Sequence, residues 1–193
     1  MAPGPSAEGW LTPDVAGLLV DVAWRAIHAG LADARRLAVR AAEYPEPVRE
    51  YRATFVTLLR RGDLRGCMGT ILPHRPLVED VAHNAYSAAF GDPRFPPLER
   101  HELDGLDLHL SVLSPLEAMA FRSESDLLQQ IRPGVDGLLL EDGHHVGTFL
   151  PSVWESLPEP EAFWRALKRK AGLPATYWSA TLRVSRYTAT PVP

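Results

Sequence analysis

Cysteine is nearly absent from this chain: its 193 residues contain one, Cys67. A single thiol cannot close an intramolecular disulfide, and it excludes multi-cysteine zinc and iron–sulfur sites. The expected location is therefore a reducing cytoplasm. Long apolar runs are also lacking, since no stretch approaches the ~20 residues a membrane span needs. Met1 to Trp10 lacks the basic-then-apolar order of a secretory signal. Neither sign of charge dominates. With 20 basic and 24 acidic residues the net charge is −4, so no global pull toward nucleic acid or anionic membrane is expected. The basic clusters Arg35, Arg36, Arg40 and Lys168, Arg169, Lys170 read more simply as helix ends that complement a dipole. No Gly-rich phosphate loop or dinucleotide fingerprint occurs. His144 and His145 are adjacent on an expected strand and point to opposite faces, which makes them a poor metal pair. No metal site and no cofactor is expected.

What is present is an ordinary globular composition, 46% apolar and 23% charged, with enough length to bury a core. Prolines (18) and glycines (14) divide it into short elements. Residues 1–11 read as a flexible tail. Thr12-Pro13 starts a helix as N-cap and first position, and Val15, Leu18, Leu19, Val22 and Ala26 carry it to about His28 or Gly30. Residues 31–50 form a partly helical connection. Thr54–Leu59 and Leu64–Leu72 read as strands joined at Arg61-Gly62-Asp63. A helix follows Pro76, with Glu79 and Asp80 at the positive end of its dipole. Leu106–Ser114 alternates as a half-buried strand, Asp126–Ile131 is a short helix, and Gly137–Glu141 with His144–Leu150 forms a hairpin around Asp142-Gly143. Helices are expected at Pro151–Glu155 and Glu161–Ala171, and a last strand at Thr176–Tyr187. The fold class is α+β, a mostly antiparallel sheet flanked by helices.

The candidate site centres on Leu64-Arg65-Gly66-Cys67-Met68-Gly69-Thr70. Gly66 and Gly69 leave a thiol accessible, and a neighbouring cation favours the reactive thiolate. On an extended strand Arg65, Cys67 and Gly69 share a face. Arg65 is then either an anion anchor beside the thiol or half of an ion pair with Asp63, Asp80 or Asp92. Cys67 is either a nucleophile or a small packed residue. On the following helix Asp80, His83, Asn84 and Ser87 align as one polar stripe. His83 is the candidate general base, oriented by Asp80 or Asn84, against the reading of this stripe as a solvated face. His74, on the connection, is the alternative base. Asp92 and Arg94 lie in the proline-stiffened segment Gly91–Leu98, where binding residues are common.

These residues match a known pattern. Leu64–Thr70, Asn84-Ala85-Tyr86-Ser87-Ala88-Ala89-Phe90 and Asp92-Pro93-Arg94-Phe95-Pro96-Pro97-Leu98 closely resemble the AMMECR domain family. So do Leu110–Pro115, Gly134–Leu138, Gly147–Trp154 and Lys170–Pro174, in order from about Thr12 to Tyr187. Two positions depart from the family pattern: Met68 stands where isoleucine is usual, and Ser152 where glutamine is common. The resemblance implies one domain over 12–190, built as two unequal lobes with a cleft near the Leu-Arg-Gly-Cys motif. In prokaryotes it implies protein A of the AmmeMemoRadiSam system, working with a Memo-like protein and a radical-SAM protein. Two roles follow. One is an enzyme or enzyme subunit acting on a small anionic or carbonyl compound, with Cys67 as nucleophile, Arg65 and Arg94 as anchors and His83 or His74 carrying the proton. The other is an accessory module that docks on, or delivers substrate to, those partners.

Overall fold

The computed structural model describes residues 9–193, so most of the expected tail lies outside the described residues. Its last part is not loose: Trp10 and Leu11 pack against a hydrophobic core, and the Arg52 guanidinium lies 4.3 Å from the Trp10 ring centroid. The fold is α+β, with two antiparallel four-stranded sheets. The chain divides into two compact units, one of residues up to 113 together with 190–193 and one of 114–189.

The first unit begins with α1 (Pro13–Asp33), capped by Thr12, whose side chain accepts the Val15 N–H at 3.3 Å. The helix outruns the sequence expectation by a turn and ends on Ala34 in the left-handed region. It is also long and apolar enough to cross a membrane, with a mean hydropathy of 1.4 over its most apolar stretch, which corrects the expectation that no such run exists. Leu19, Val22, Ala23, Ala26 and Ile27 are wholly buried in the first core, as in a core helix. Burial of each larger side chain stabilises by about 1.5–3 kcal/mol.

The 31–50 connection contains two short 3-10 turns, Ala41–Glu43 and Glu46–Val48. Strands β1 (Thr54–Arg60) and β2 (Asp63–Gly69) then form a hairpin over Arg61 and Gly62, both at positive φ, as a two-residue turn requires. Helix α2 (Leu77–Phe90) packs on both strands and on α1. Strand β3 (Leu106–Leu113) pairs with β1. The sheet order is β2-β1-β3-β8, where β8 (Ala189–Val192) is a strand the sequence reading did not anticipate. Val56, Leu58, Leu110 and Val112 face the helices.

The second unit holds β4 (Glu117–Ala118), α3 (Glu124–Gln130), β5 (Gly137–Asp142), β6 (His145–Phe149), α4 (Pro160–Lys170) and β7 (Arg183–Tyr187), with sheet order β4-β7-β5-β6. The β5–β6 turn is Gly143-His144, one residue later than expected, because Asp142 still pairs with His145. The expected strand from Thr176 is ordered as β only from Arg183. In the core of this unit Trp154 stacks on Phe163 with centroids 3.8 Å apart. Lys168 is almost fully buried, its Nζ donating to Glu124 Oε1 at 2.6 Å and the Tyr177 carbonyl at 3.2 Å.

Sheet and helix approach closely in the first unit at Gly66. A Cβ there would lie 2.1 Å from the Ala88 carbonyl oxygen of α2, whereas one at Gly69 would meet the Phe55 ring at 2.4 Å. A helix backbone cannot yield as a ring can. Gly66→Ala is expected to lower stability by about 1–3 kcal/mol, as overpacking does, and Gly69→Ala by less. Urea unfolding of both variants checks this, and equal losses would show that β2 does not press on α2.

Candidate functional site

Strand β2 is an edge of its sheet, and Cys67 lies on it opposite Thr57. The two side chains meet: the Thr57 hydroxyl donates to Cys67 Sγ at 3.2 Å. Thr57 is in turn paired with His109 on β3, so Cys67, Thr57 and His109 form one cross-strand row. Gly66 and Met68 are on the other face, against the helical core. Cys67 is half-buried and His109 exposed. Gly66 therefore serves the contact with α2 and opens nothing beside the thiol. The gap at Gly69 is taken by Phe55.

An edge strand leaves backbone groups unpaired. At Cys67 the loop after α2 supplies both partners. Asp92 Oδ2 accepts the Cys67 N–H at 2.9 Å, and Arg94 Nη2 donates to the Cys67 carbonyl at 3.4 Å. Asp92 and Arg94 are themselves joined by two charge-assisted bonds, Nε to Oδ1 at 2.9 Å and Nη2 to Oδ2 at 2.6 Å. The Arg94 bonds hold the Asp92 carboxyl well below the usual carboxylate range, against the effect of its burial, and the Cys67 N–H adds to this. Asp92 is buried, while the Arg94 side chain is 53% exposed beside the thiol.

Arg65 does not share the thiol's row. The β1–β2 register shifts between Leu58 and Leu59, with Leu58 opposite Gly66 and Leu59 opposite Leu64, which leaves Arg65 as the extra residue of a bulge. Its guanidinium makes a bidentate pair with Glu102, Nε to Oε1 at 2.7 Å and Nη2 to Oε2 at 2.8 Å, and donates to the Pro96 carbonyl at 3.0 Å. The ion-pair reading describes this residue, but the partner is none of Asp63, Asp80 and Asp92. Glu102 also receives the Glu99 N–H in a capping box and Arg60 at 3.4 Å. The Arg65 bonds, foremost, bring its carboxyl down to about 2.

The polar stripe on α2 is not a solvated face: Asp80, Asn84 and Ser87 are buried. Asp80 Oδ2 accepts from the Thr54 N–H (2.9 Å), the Thr54 hydroxyl (2.7 Å), the Thr70 hydroxyl (2.8 Å) and the Asn84 amide (2.9 Å). Asp80 and Asn84 thus tie α2 to the sheet and do not orient His83. His83 points elsewhere, its Nδ1 3.1 Å from Arg36 Nη1. Burial, then Arg75 and Arg36, hold His83 below the usual histidine range. His74 is exposed on the loop before α2. Cys67, Asp92 and Arg94 are brought together; Arg65, His83 and Asn84 are committed to other partners.

The family model AMMECR1 matches residues 9–192. This chain belongs to the AMMECR1 family. It is 39% identical over 185 residues to a protein of Methanothermobacter thermautotrophicus, covering 93% of this chain and 94% of that protein. A Thermotoga maritima protein is 39% identical over 147 residues, 75% of this chain and 79% of that one. The crystal structure of an uncharacterised protein from Pyrococcus horikoshii superposes with a TM-score of 0.85 at 33% identity, covering 94% and 92% of the two chains.

In this AMMECR1 domain, sequence reasoning passed over Thr57, His109 and Glu102. Strand alternation placed His109 on a polar side, but only the sheet register sets it in line with Cys67. Glu102 carried a local signal, the Glu99–Glu102 capping pair. Its ion pair also has a consequence for pH. A carboxyl at about 2 in the folded chain, against 4.5 ordinarily, binds its proton less readily when folded. The stabilisation is present above pH 4.5 and is lost as pH falls toward 2. Glu102→Gln is expected to cost about 3–5 kcal/mol near neutrality, because Arg65 is left buried without its charge partner. It should also flatten the acid limb of a urea-midpoint-against-pH curve, and an unchanged limb would remove Glu102 from acid unfolding.

Proposed function

We propose that this protein is an accessory subunit that holds a small anionic or carbonyl compound beside Cys67 for a Memo-like and a radical-SAM partner. The supporting observation is the setting of the thiol. Cys67 is half-buried on a sheet edge, fixed by Thr57, Asp92 and Arg94, and among the described residues no imidazole bonds to its sulfur. Nucleophilic catalysis by cysteine draws on an adjacent base, and His83 is instead bonded to Arg36. A positioned thiol beside a half-exposed guanidinium suits capture and presentation of a ligand. Arg94 offers the charge, and Asp92 fixes Arg94 and the strand together.

A second reading is a cysteine-dependent enzyme acting alone, and one observation favours it. His109 lies in the Cys67–Thr57 row, two strands from the thiol, and joins His74 as a candidate proton carrier.

Two measurements separate the readings. Iodoacetamide should alkylate Cys67 in the native chain, read by intact mass; labelling only after denaturation would sink both readings. For the accessory role, the chain should bind the Memo-like or the radical-SAM protein at micromolar concentration, and Arg94→Ala should weaken the complex by about tenfold, the loss of ~1.4 kcal/mol. No detectable complex, with alkylation slowed in His109→Gln, would favour the enzyme.

A further inference from the structure

Arg36 is held by neutral partners, without a counter-charge. Its Nη1 donates to His83 Nδ1 at 3.1 Å and to the His83 carbonyl at 3.3 Å, and both terminal nitrogens lie 3.4 Å from Ser87 Oγ. Its guanidinium carbon stands 4.5 Å from the Tyr86 ring centroid. None of these partners is an anion, and among the described residues Arg36 has no carboxylate within salt-bridge reach. Its Nε donates to no described residue. The side-on edge formed by Nε and Nη2, which matches the two oxygens of a carboxylate or phosphate, carries only the long Ser87 contact.

This side chain borders a hollow of about 200 Å³. Arg75, His83 and Glu79 line it too, with Leu37 and Val39 as apolar wall. Arg75 uses Nη1 to reach Asp80 at 3.3 Å. Glu79 has Oε1 occupied by the Ala41 N–H at 3.0 Å. A guanidinium only donates, so His83 Nδ1 must accept and its ring proton is on Nε2. That tautomer is neutral at pH 7, in keeping with the downward shift caused by burial and the two arginines.

We propose that this hollow binds a small oxyanion, a phosphate or carboxylate group, with Arg36 and Arg75 as its charged ligands and the His83 Nε2–H as a neutral donor. The site lies within the first unit and takes nothing from Cys67. The contacts of Arg36 with His83, Ser87 and Tyr86 lower the ordering cost that an arginine without partners meets on binding.

The test is an NMR titration of the full chain at pH 7 with inorganic phosphate, following the His83 ring signals (assigned with His83→Gln), with acetate and chloride as parallel arms at matched ionic strength. A saturable His83 shift with phosphate or acetate but not chloride is expected, and the tighter of the two identifies the anion class. Arg36→Gln should weaken binding about tenfold; Arg75→Gln provides a second variant, and thermal unfolding of each checks that the fold is kept. Cys67→Ala should bind as the original chain does, which keeps this site separate from the thiol's. No His83 shift, an equal shift with chloride, or undiminished binding in both arginine variants would overturn the proposal.

Discussion

Asp80 is the interaction on which the first unit depends. Its carboxylate is fully buried on α2, yet one oxygen gathers donors from the start of β1, from Thr70 just beyond β2 and from Asn84 one turn along its own helix. A buried acid without such partners is strongly destabilising, while one that is fully satisfied fixes a single arrangement. Asn84 doubles the tie, donating to the Thr54 carbonyl at 3.1 Å and hydroxyl at 2.9 Å. The helix is thereby locked to the hairpin at the end of β2 that leads away from Cys67. The thiol's position follows from this lock and from the close passage of Gly66 under Ala88.

The other end of α2 makes a second connection to the same strand. Asp92, immediately past the helix, meets the Cys67 N–H, and Arg94 closes on the carbonyl. The edge strand is thus held by a carboxylate and a guanidinium in place of another strand. The same chemistry recurs in Arg65 with Glu102 and, in the second unit, in Arg132 with Asp136 and Lys168 with Glu124. In each case at least one of the two side chains is buried, and among the described residues the one buried side-chain nitrogen or oxygen without a partner is Arg60 Nε. Arg36 departs from this pattern as a held cation facing a neutral imidazole, and that departure marks the anion hollow.

Much of the architecture was legible from local chemistry. Thr12-Pro13 fixed the start of α1, a run of β-forming residues fixed β1, alternation fixed β3, and the turn glycines at 62 and 143 fixed the hairpins to within a residue. The bulge at Arg65 was not legible, because strand alternation read along one chain cannot show where a neighbouring strand slips register. Nor was the burial of Asp80 and Asn84: a polar stripe at helical spacing looks the same whether it meets water or Thr54 and Thr70. β8 was missed because a four-residue strand containing Pro191 carries little signal of its own and depends on the open edge of β3.

The sequence by itself determined most of the elements, the family and the candidate residues Cys67, Asp92 and Arg94, because caps, periodicity and an uninterrupted set of motifs are properties of nearby residues. Only the tertiary structure decided what each polar side chain meets. Thr57 and His109 reach the Cys67 row through strand register, Glu102 reaches Arg65 across 37 residues, and Arg36 reaches His83 across 47. Partner choice over such distances is set by packing of the whole unit, since the energy of a hydrogen bond or ion pair depends on geometry that no local pattern encodes.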